Sequence, residues 1–341
     1  MSTFKTIFSG RLEFGTDRSY SQVTQLFEHR VANYYRGDVI IRPEEVFNES
    51  SYSIDIPRHL SHATEKSWRN TLNLLEYLAQ FAVAGNLQAW MTEEGKVLES
   101  KLIEPKGDKV AIQSFLKGRE LVQVEGMESE AKKALSRAID KFERHALAYE
   151  RRGKVNFLLK NLDDAFYDFS KSIDINPNNP EPYQGRAKTH MARKNFAAAI
   201  ADLEFAIKSS IPHQPIFWYA RHLKAQCHLQ LAQYEQAALE LKLFTRRQFT
   251  PDNPNYLFRK KAFADYGKAL LELGNYGEAI QAFDKAISIE VGGEVSPSKA
   301  EQLLYRGIAR QKAGQSDFVN DWKEAAGLGS KKAEELLETI D

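Results

Sequence analysis

The sequence is poor in the residues that form covalent or metal-based cross-links. Cys227 is the only cysteine among 341 residues. A single cysteine cannot form a disulfide within the chain, and it excludes a zinc site built from several cysteines. Unpaired cysteines are typical of reducing compartments. The composition therefore predicts a cytoplasmic protein whose stability comes from its hydrophobic core.

Long hydrophobic runs are also absent. The most apolar stretch, residues 74–85, is interrupted by Glu76 and Gln80. It is shorter than the roughly 20 apolar residues that a membrane-spanning helix needs. The first ten residues lack the sustained apolar core of a secretory signal peptide. We therefore expect no association with a membrane.

An excess of charge of either sign is missing too, and so are catalytic motifs. Lys and Arg number 47 and Asp and Glu number 46, so the chain has no global attraction to nucleic acid. It contains neither a glycine-rich phosphate loop nor a nucleophile elbow. His59 and His62, with Glu65, are placed on a turn by the pattern and are not expected to bind a metal ion. The sequence thus predicts a non-enzyme without cofactor or metal.

What the chain does have is an internal repeat. Ala131, Ala165 and Ala199 lie 34 residues apart. Each is followed by an apolar residue four positions later, a small residue at seven and isoleucine at eight. Looser copies follow at Ala237, Ala279 and Phe318. A fixed period of this length predicts stacked supersecondary units over two thirds of the chain.

Each unit is expected to contain two helices that cross closely. A second small residue precedes the first by twelve positions, as Gly153 precedes Ala165 and Gly267 precedes Ala279. Prolines follow the second helix of several units and stop it. Bulky residues are expected to fill the space beside the small ones: Phe169, Leu203, Leu241, Phe283 and Trp322.

This pattern resembles the tetratricopeptide repeat family over roughly residues 112–327. The closest match begins at Tyr149, continues through Gly153, Ala165 and Phe169, and ends at Pro177. The first unit lacks the glycine and aromatic landmarks in its first helix. The resemblance implies a mainly α fold, an α-hairpin solenoid of about six hairpins. Residues 330–341 are expected to form a capping helix, with Leu336, Leu337 and Ile340 facing inward.

The first 107 residues show no repeat and alternate between strand and helix patterns. The order β-α-β-β-α-β-β resembles that of a ferredoxin-like plait. We expect a small α+β domain over residues 1–107, a break at residues 105–108 and the repeat domain over 108–341. The expected elements are strand 6–14, a helix capped by Asp17 or Ser19 and ended by Gly37, strands 39–41 and 52–56, helix 65–84 capped by Thr64, and a hairpin of strands 87–91 and 96–103 about Glu94-Gly95.

The expected functional surface is the concave groove that the first helices of such repeats line. Helical spacing projects onto it a row of lysines without acidic balance, interleaved with apolar side chains. The asparagine pair of the family's carboxylate clamp is missing, so an adaptor for chaperone tails is not expected. The predicted peptide-binding residues are Lys154, Phe157, Lys188, Met191, His222, Gln226, Lys261 and Lys268.

The predicted function is a non-catalytic scaffold that binds a protein or peptide partner, with an acidic segment favoured by the lysines. Two alternatives stay open at this point. The α+β domain could hold the site of an enzyme or small-molecule sensor. The basic connector could bind nucleic acid, although the balanced charge of the whole chain disfavours this alternative. Its basic residues are Arg246, Arg247, Arg259, Lys260 and Lys261.

Overall fold

A computed structural model describes residues 2–107, 109–290 and 297–340, so Asp108 of the expected break lies outside the described residues. The chain forms two compact units, one ending at Thr189 and the other beginning at His190. The first unit contains a β-sheet and helices, and the second is helical. No helix in the described ranges is long and apolar enough to cross a membrane.

Five strands in the first unit form one antiparallel sheet of order β2-β3-β1-β4-β5. The first four strands have the order of a ferredoxin-like plait, and β5 extends one edge. The expected small α+β fold is therefore confirmed. The strands are β1 (Phe4–Glu13), β2 (Phe47–Asn48), β3 (Ser53–Ala63), β4 (Ala84–Glu93) and β5 (Lys96–Ile103).

Helices α1 (Asp17–Asn33), α2 (Pro43–Val46) and α3 (Glu65–Ala79) accompany the sheet, with a 3-10 turn at Glu49–Ser51. Thr64 caps α3 as expected, because its hydroxyl accepts from the Ser67 amide. The cap of α1 is Thr16, which accepts from the Ser19 amide, so the expected cap at Asp17 or Ser19 was wrong. The core lies between α1, α3 and one sheet face, and includes Phe8, Leu12, Phe27, Ile54, Trp68 and Leu75.

Residues 39–41 do not form the expected strand. The Ile40 amide donates to the Thr71 hydroxyl at 2.9 Å, and Ile41 is buried in the core. The segment therefore packs beside α3 and does not join the sheet. The expected hairpin is confirmed, since Glu94 and Gly95 both have positive φ, as a two-residue turn of type I′ requires.

Helices follow in sequential pairs after the sheet. Six pairs and a terminal helix lie within the described residues, in agreement with the expected hairpin array. The helices are α4 (Val110–Leu121), α5 (Glu128–Lys141), α6 (Ala146–Leu158), α7 (Leu162–Ile175), α8 (Pro180–Ala192), α9 (Phe196–Ser209), α10 (Pro215–Gln230), α11 (Tyr234–Arg246), α12 (Arg259–Glu272), α13 (Tyr276–Ser288), α14 (Lys299–Lys312), α15 (Phe318–Gly327) and α16 (Lys331–Glu338). A 3-10 helix, Pro254–Phe258, lies in the connector before α12.

Small residues meet bulky ones at the helix crossings, as the repeat pattern predicts. A Cβ atom built at Gly153 would lie 3.0 Å from the Phe169 ring, and one at Gly307 would lie 2.4 Å from Trp322 Nε1. The first pair has its own version, because a Cβ at Gly118 would lie 2.6 Å from Leu135 Cγ. The expectation that this unit lacks a glycine landmark was therefore wrong.

The terminal helix α16 agrees with the expected cap except at its last apolar residue. Ala333 is fully buried, and Leu336 and Leu337 pack against the last core cluster. Ile340 is exposed, because α16 ends at Glu338 and the residues beyond it no longer follow the helical face.

Candidate peptide-binding site

Three of the predicted residues come together in the first unit. Lys154 and Phe157 lie on α6, and Lys188 lies on α8. The Lys188 ammonium is 5.0 Å from the centre of the Phe157 ring, which is within the range of a cation–π contact. Lys154, Phe157 and Lys188 form what we call the α6–α8 face.

The two lysines of the α6–α8 face lie near one another. Burial lowers the pKa of Lys188, and the positive charge of Lys154 lowers it further. Among the described residues, no carboxylate lies within 4.0 Å of either ammonium group, and the charge of Lys154 acts at longer range on the carboxyls of Glu150 and Glu181. The α6–α8 face therefore presents two positive charges beside an aromatic ring.

Polar groups under this face are buried. Glu150 is 4% exposed, and its Oε2 atom lies 3.0 Å from Arg151 Nε. Burial raises the pKa of Glu150, and the charges of Arg151 and Lys154 oppose that rise. Gln184 Nε2 is buried without a hydrogen-bond partner in the described part of the chain. A buried donor of this kind needs an acceptor, which an ordered water or a ligand oxygen can supply.

The predicted residues on α10, His222 and Gln226, pack against other side chains of the second unit. His222 is 1% exposed, and its Nε2 atom lies 3.8 Å from Asp265 Oδ2 and 3.3 Å from Gln226 Nε2. The Phe258 ring stacks on Tyr219 at 4.7 Å and lies 5.7 Å from the His222 ring. The 3-10 helix of the connector is thus packed against the side of α10 that the helical spacing assigns to the groove.

The lysines of α12 are paired, so the expected row without acidic balance was wrong. Lys261 Nζ lies 3.4 Å from Asp265 Oδ2, one helical turn away on the same helix. Lys268 Nζ lies 2.6 Å from Glu301 Oε1 of α14 and 4.6 Å from the centre of the Tyr305 ring. The Lys261–Asp265 spacing of four was visible in the sequence, whereas Glu301 lies too far along the chain for a local pattern to find it.

Asp265 is the charged centre of this buried group. Burial raises the pKa of its carboxyl, but hydrogen bonding to His222 and the charges of Lys261 and Lys268 outweigh burial, so the pKa is lowered overall. The carboxylate therefore stays ionised and holds His222 and Lys261 in place. The remaining predicted residue, Met191, is half-buried at the end of α8.

The two histidines considered as metal ligands lie on strand β3, and the expectation of a turn was wrong. In the sheet, His59 is in register with Phe8 and His62 with Lys5. Residues three apart on a strand point to opposite faces, so the two imidazoles cannot share one metal ion. No group of three metal-ligating side chains occurs among the residues that the structure describes.

The basic connector carries its charges beside aromatic rings. The Arg247 guanidinium lies 5.8 Å from the centre of the Trp218 ring, and that of Arg259 lies 4.9 Å from the Tyr256 ring. Both arginines therefore have cation–π partners within the second unit.

The paired helices with glycines against bulky rings define a class, the α-hairpin repeat proteins. Family models described as tetratricopeptide repeat match residues 129–180, 185–254 and 261–290. Over this region the chain is a tetratricopeptide repeat protein, as its sequence resemblance indicates.

Solved structures share this fold at low sequence identity. One is YrrB, a TPR protein with an unusual peptide-binding site (14% identity, TM-score 0.51, 61% of this chain and 99% of that one). Another is pilF of Pseudomonas aeruginosa (16% identity, TM-score 0.54, 69% and 99%). A third is PilW, a type IV pilus biogenesis factor (18% identity, TM-score 0.50, 69% and 99%).

Proposed function

We propose that this chain is a non-catalytic interaction scaffold that binds an acidic peptide segment of a partner protein at the α6–α8 face. The observation that carries the proposal is the pair Lys154 and Lys188, two cations without an ion pair within 4.0 Å among the described residues, of which Lys188 lies over the Phe157 ring. A tetratricopeptide repeat region supports the scaffold role, and the buried free thiol of Cys227 is consistent with a cytoplasmic protein.

The chemistry of the face favours a carboxylate next to an apolar side chain. Burial is the main cause of the lowered pKa of Lys188, and repulsion by the Lys154 ammonium group lowers that pKa further. A bound carboxylate would offset the repulsion and favour the charged form of Lys188. Phe157 offers a half-buried ring for an apolar neighbour of that carboxylate. Charge is expected to steer association, and the ring is expected to supply much of the affinity.

The lysines of α12 are assigned a lesser role. Lys268 and Lys261 are already neutralised by Glu301 and Asp265, so an incoming carboxylate would have to displace an existing ion pair. His222 and Gln226 lie beneath the connector. The proposed contact residues are therefore ranked, with Lys154, Phe157 and Lys188 first.

A display library of random twelve-residue peptides tests the proposal. The full chain should enrich peptides with Asp or Glu beside an apolar residue, and their affinity should fall as salt rises. Lys154→Glu/Lys188→Glu should abolish the enrichment. Phe157→Ala should leave association nearly unchanged and speed dissociation, as measured by surface plasmon resonance on one enriched peptide.

The matched control is Lys133→Glu/Lys171→Glu, which makes the same charge change at exposed positions on α5 and α7. It should bind like the parent. Equal loss in both double variants would make net charge, and not the α6–α8 face, the cause. Loss only on substitution of Arg246, Arg247 and Lys260 would move the site to the connector and contradict the proposal.

A further inference from the structure

A groove of about 340 Å³ lies between α4 and α5, the first hairpin of the array. Its lining residues belong to these two helices and to the turn between them, so the α+β domain does not line it. Leu121, Met127 and Ala134 are half-buried there, whereas Lys117 and Glu130 are exposed. The groove therefore combines apolar surface with charges of both signs.

The contacts between neighbouring hairpins show what covers the corresponding place in the inner units. In four hairpins, the residue before the small residue of the first helix is a cation that contacts an oxygen of the preceding hairpin's second helix. That oxygen belongs each time to the residue five positions after the small residue of its own helix. In α12 this position is held by Tyr266. The four contacts are Arg152–Ser136 at 3.0 Å, Arg186–Ser170 at 3.2 Å, Lys224–Glu204 at 3.0 Å and Arg306–Asp284 at 2.7 Å.

Lys117 holds the same position in the first hairpin, because it directly precedes Gly118. The element before α4 is the strand β5, so no second helix precedes this hairpin. In the next hairpin the cation also pairs with its own second helix, since Arg152 Nη2 lies 2.7 Å from Asp168 Oδ1, but the equivalent of Asp168 in α5 is Ala134. Among the described residues, Lys117 has no hydrogen-bond or ion-pair partner. The stacking face of a terminal hairpin is thus open, with its cation unpaired.

Glu130 is the second charge of the groove with an equivalent in the next hairpin. That equivalent is Asp164, 34 residues later at the start of α7. Lys132 Nζ of α5 lies 3.2 Å from Asp164 Oδ2. Within the described part of the chain, Glu130 has no such lysine. The helix that covers α6 and α7 thus presents a lysine to this carboxylate and, four residues later, the oxygen of Ser136 to the cation.

We propose that the groove between α4 and α5 binds an α-helix of a partner protein, which takes the place that a preceding second helix has in the inner units. The docked face of that helix carries a lysine opposite Glu130 and, four residues later, an aspartate or glutamate opposite Lys117. A carboxylate is favoured over a hydroxyl because Lys117 has no carboxylate in its own hairpin. The apolar side chains of the groove supply most of the affinity, and the two charges set the orientation of the helix.

A display library of helices tests the proposal, with each helix presented on a stable three-helix bundle and one of its faces randomised. Helices that the full chain selects should carry a lysine followed four residues later by Asp or Glu. The variant Lys117→Glu/Glu130→Lys exchanges the two charges of the groove and keeps the net charge of the chain. It should bind the selected helices at least about tenfold more weakly, because both contacts become repulsive. It should instead bind helices whose own two charges are exchanged, which also shows that the variant is folded.

The matched control is Asp140→Lys/Lys141→Asp, which exchanges two charges at exposed positions of α5 outside the groove. It should bind the selected helices like the parent, and a bound helix should slow amide hydrogen exchange in α4 and α5. Selected helices without the charge pair, equal binding by the charge-exchanged groove, or slowed exchange only in other helices would overturn the proposal. Self-association of the chain that slows exchange in α4 and α5 would make a second copy the occupant and would overturn it as well.

Discussion

Substitution of Gly267 by alanine measures how tightly the helices of one hairpin cross. Gly267 lies in α12, and a Cβ atom there would be 2.8 Å from two carbons of the Phe283 ring. Phe283 is fully buried, so the ring has little room to move. Overpacking of this kind costs about 1–3 kcal/mol. Alanine also stabilises a helix by up to about 1 kcal/mol relative to glycine, which offsets part of that cost.

Gly277 provides the matched control in the same hairpin. It is exposed in the first turn of α13, and a Cβ atom there would meet nothing within 4 Å. Gly277→Ala should keep or slightly raise the free energy of unfolding. Gly267→Ala should lower it by roughly 0–2 kcal/mol, so the two variants should differ by about 1–3 kcal/mol. Urea unfolding followed by far-ultraviolet circular dichroism and tryptophan fluorescence gives both values.

A double-mutant cycle tests whether the Phe283 ring is the cause of the stability lost in Gly267→Ala. In a Phe283→Leu background the ring is gone, so Gly267→Ala should become neutral or stabilising. The coupling free energy between positions 267 and 283 should then be about 0.5–3 kcal/mol. If Gly267→Ala and Gly277→Ala change stability equally, or if Phe283→Leu leaves their difference intact, the close crossing is not what requires glycine.

Three further changes test the buried groups of the repeats. Burial lowers the pKa of His145 to about 3, so the stability that the chain has above pH 6.5 should be lost as the pH falls toward 3. The variant His145→Asn keeps a side chain that can cap α6, and its urea midpoint should fall less than that of the parent over the same pH range. Burial raises the pKa of Cys227 to about 12, so its thiol should react with Ellman's reagent only as the chain unfolds, and rapid reaction of the folded protein would contradict this. Ala199, fully buried in α9, should tolerate tryptophan poorly, with a loss of about 1–3 kcal/mol in urea unfolding, and an unchanged midpoint would refute the assigned register.

The repeat period predicted the helical hairpins because each helix repeats the same local packing requirement. Alanines 34 residues apart mark positions where only a small side chain fits, and Ala131, Ala165 and Ala199 are all fully buried. Gly118 escaped the pattern because it precedes Ala131 by thirteen residues and not twelve. A search for small residues exactly twelve positions before each alanine therefore misses a glycine that is displaced by one residue.

Long-range contacts limited the prediction of the site. Helical spacing placed Lys154 and Phe157 on one side of α6. Lys188 of α8 contacts the Phe157 ring, as the predicted groove requires. The same spacing could not foresee that Phe258 packs on Tyr219 and His222, because the connector's path depends on its own aromatic contacts. In the α+β domain, residues 39–41 have strand propensity, but the Ile40 amide bonds to Thr71 of α3 and Ile41 is buried in the core, so tertiary packing prevailed.

The last prediction concerns the boundary at residue 108 between the α+β domain and the repeats. The contacts that join residues on the two sides of this boundary determine how stable the repeats should be on their own. Lys109 Nζ donates to the carbonyl oxygen of Phe81 at 3.0 Å, Arg119 pairs with Glu104 at 2.5 Å, and Arg144 Nε lies 3.9 Å from Glu13 Oε2. The Arg119–Glu104 pair is partly exposed, and such pairs contribute about 0–1 kcal/mol. Glu13 is buried, but its close partner is Arg11 at 2.7 Å, which lies on the same side of residue 108. The apolar cluster of the first hairpins, with Phe115 and Leu135, is supplied by the repeats themselves.

A fragment of residues 108–341 should therefore stay soluble and helical, with a urea midpoint somewhat below that of the full chain. Circular dichroism at 222 nm measures its helix content, and the residues of α4 and α5 should exchange their amide hydrogens fastest, since they lose the neighbouring domain. The stability of a repeat array is a sum over neighbouring units, so loss of one terminal contact should not unfold the distant hairpins. An insoluble or unfolded fragment would mean that the α+β domain is an integral part of the first hairpin's core, and the boundary at residue 108 would then be wrong.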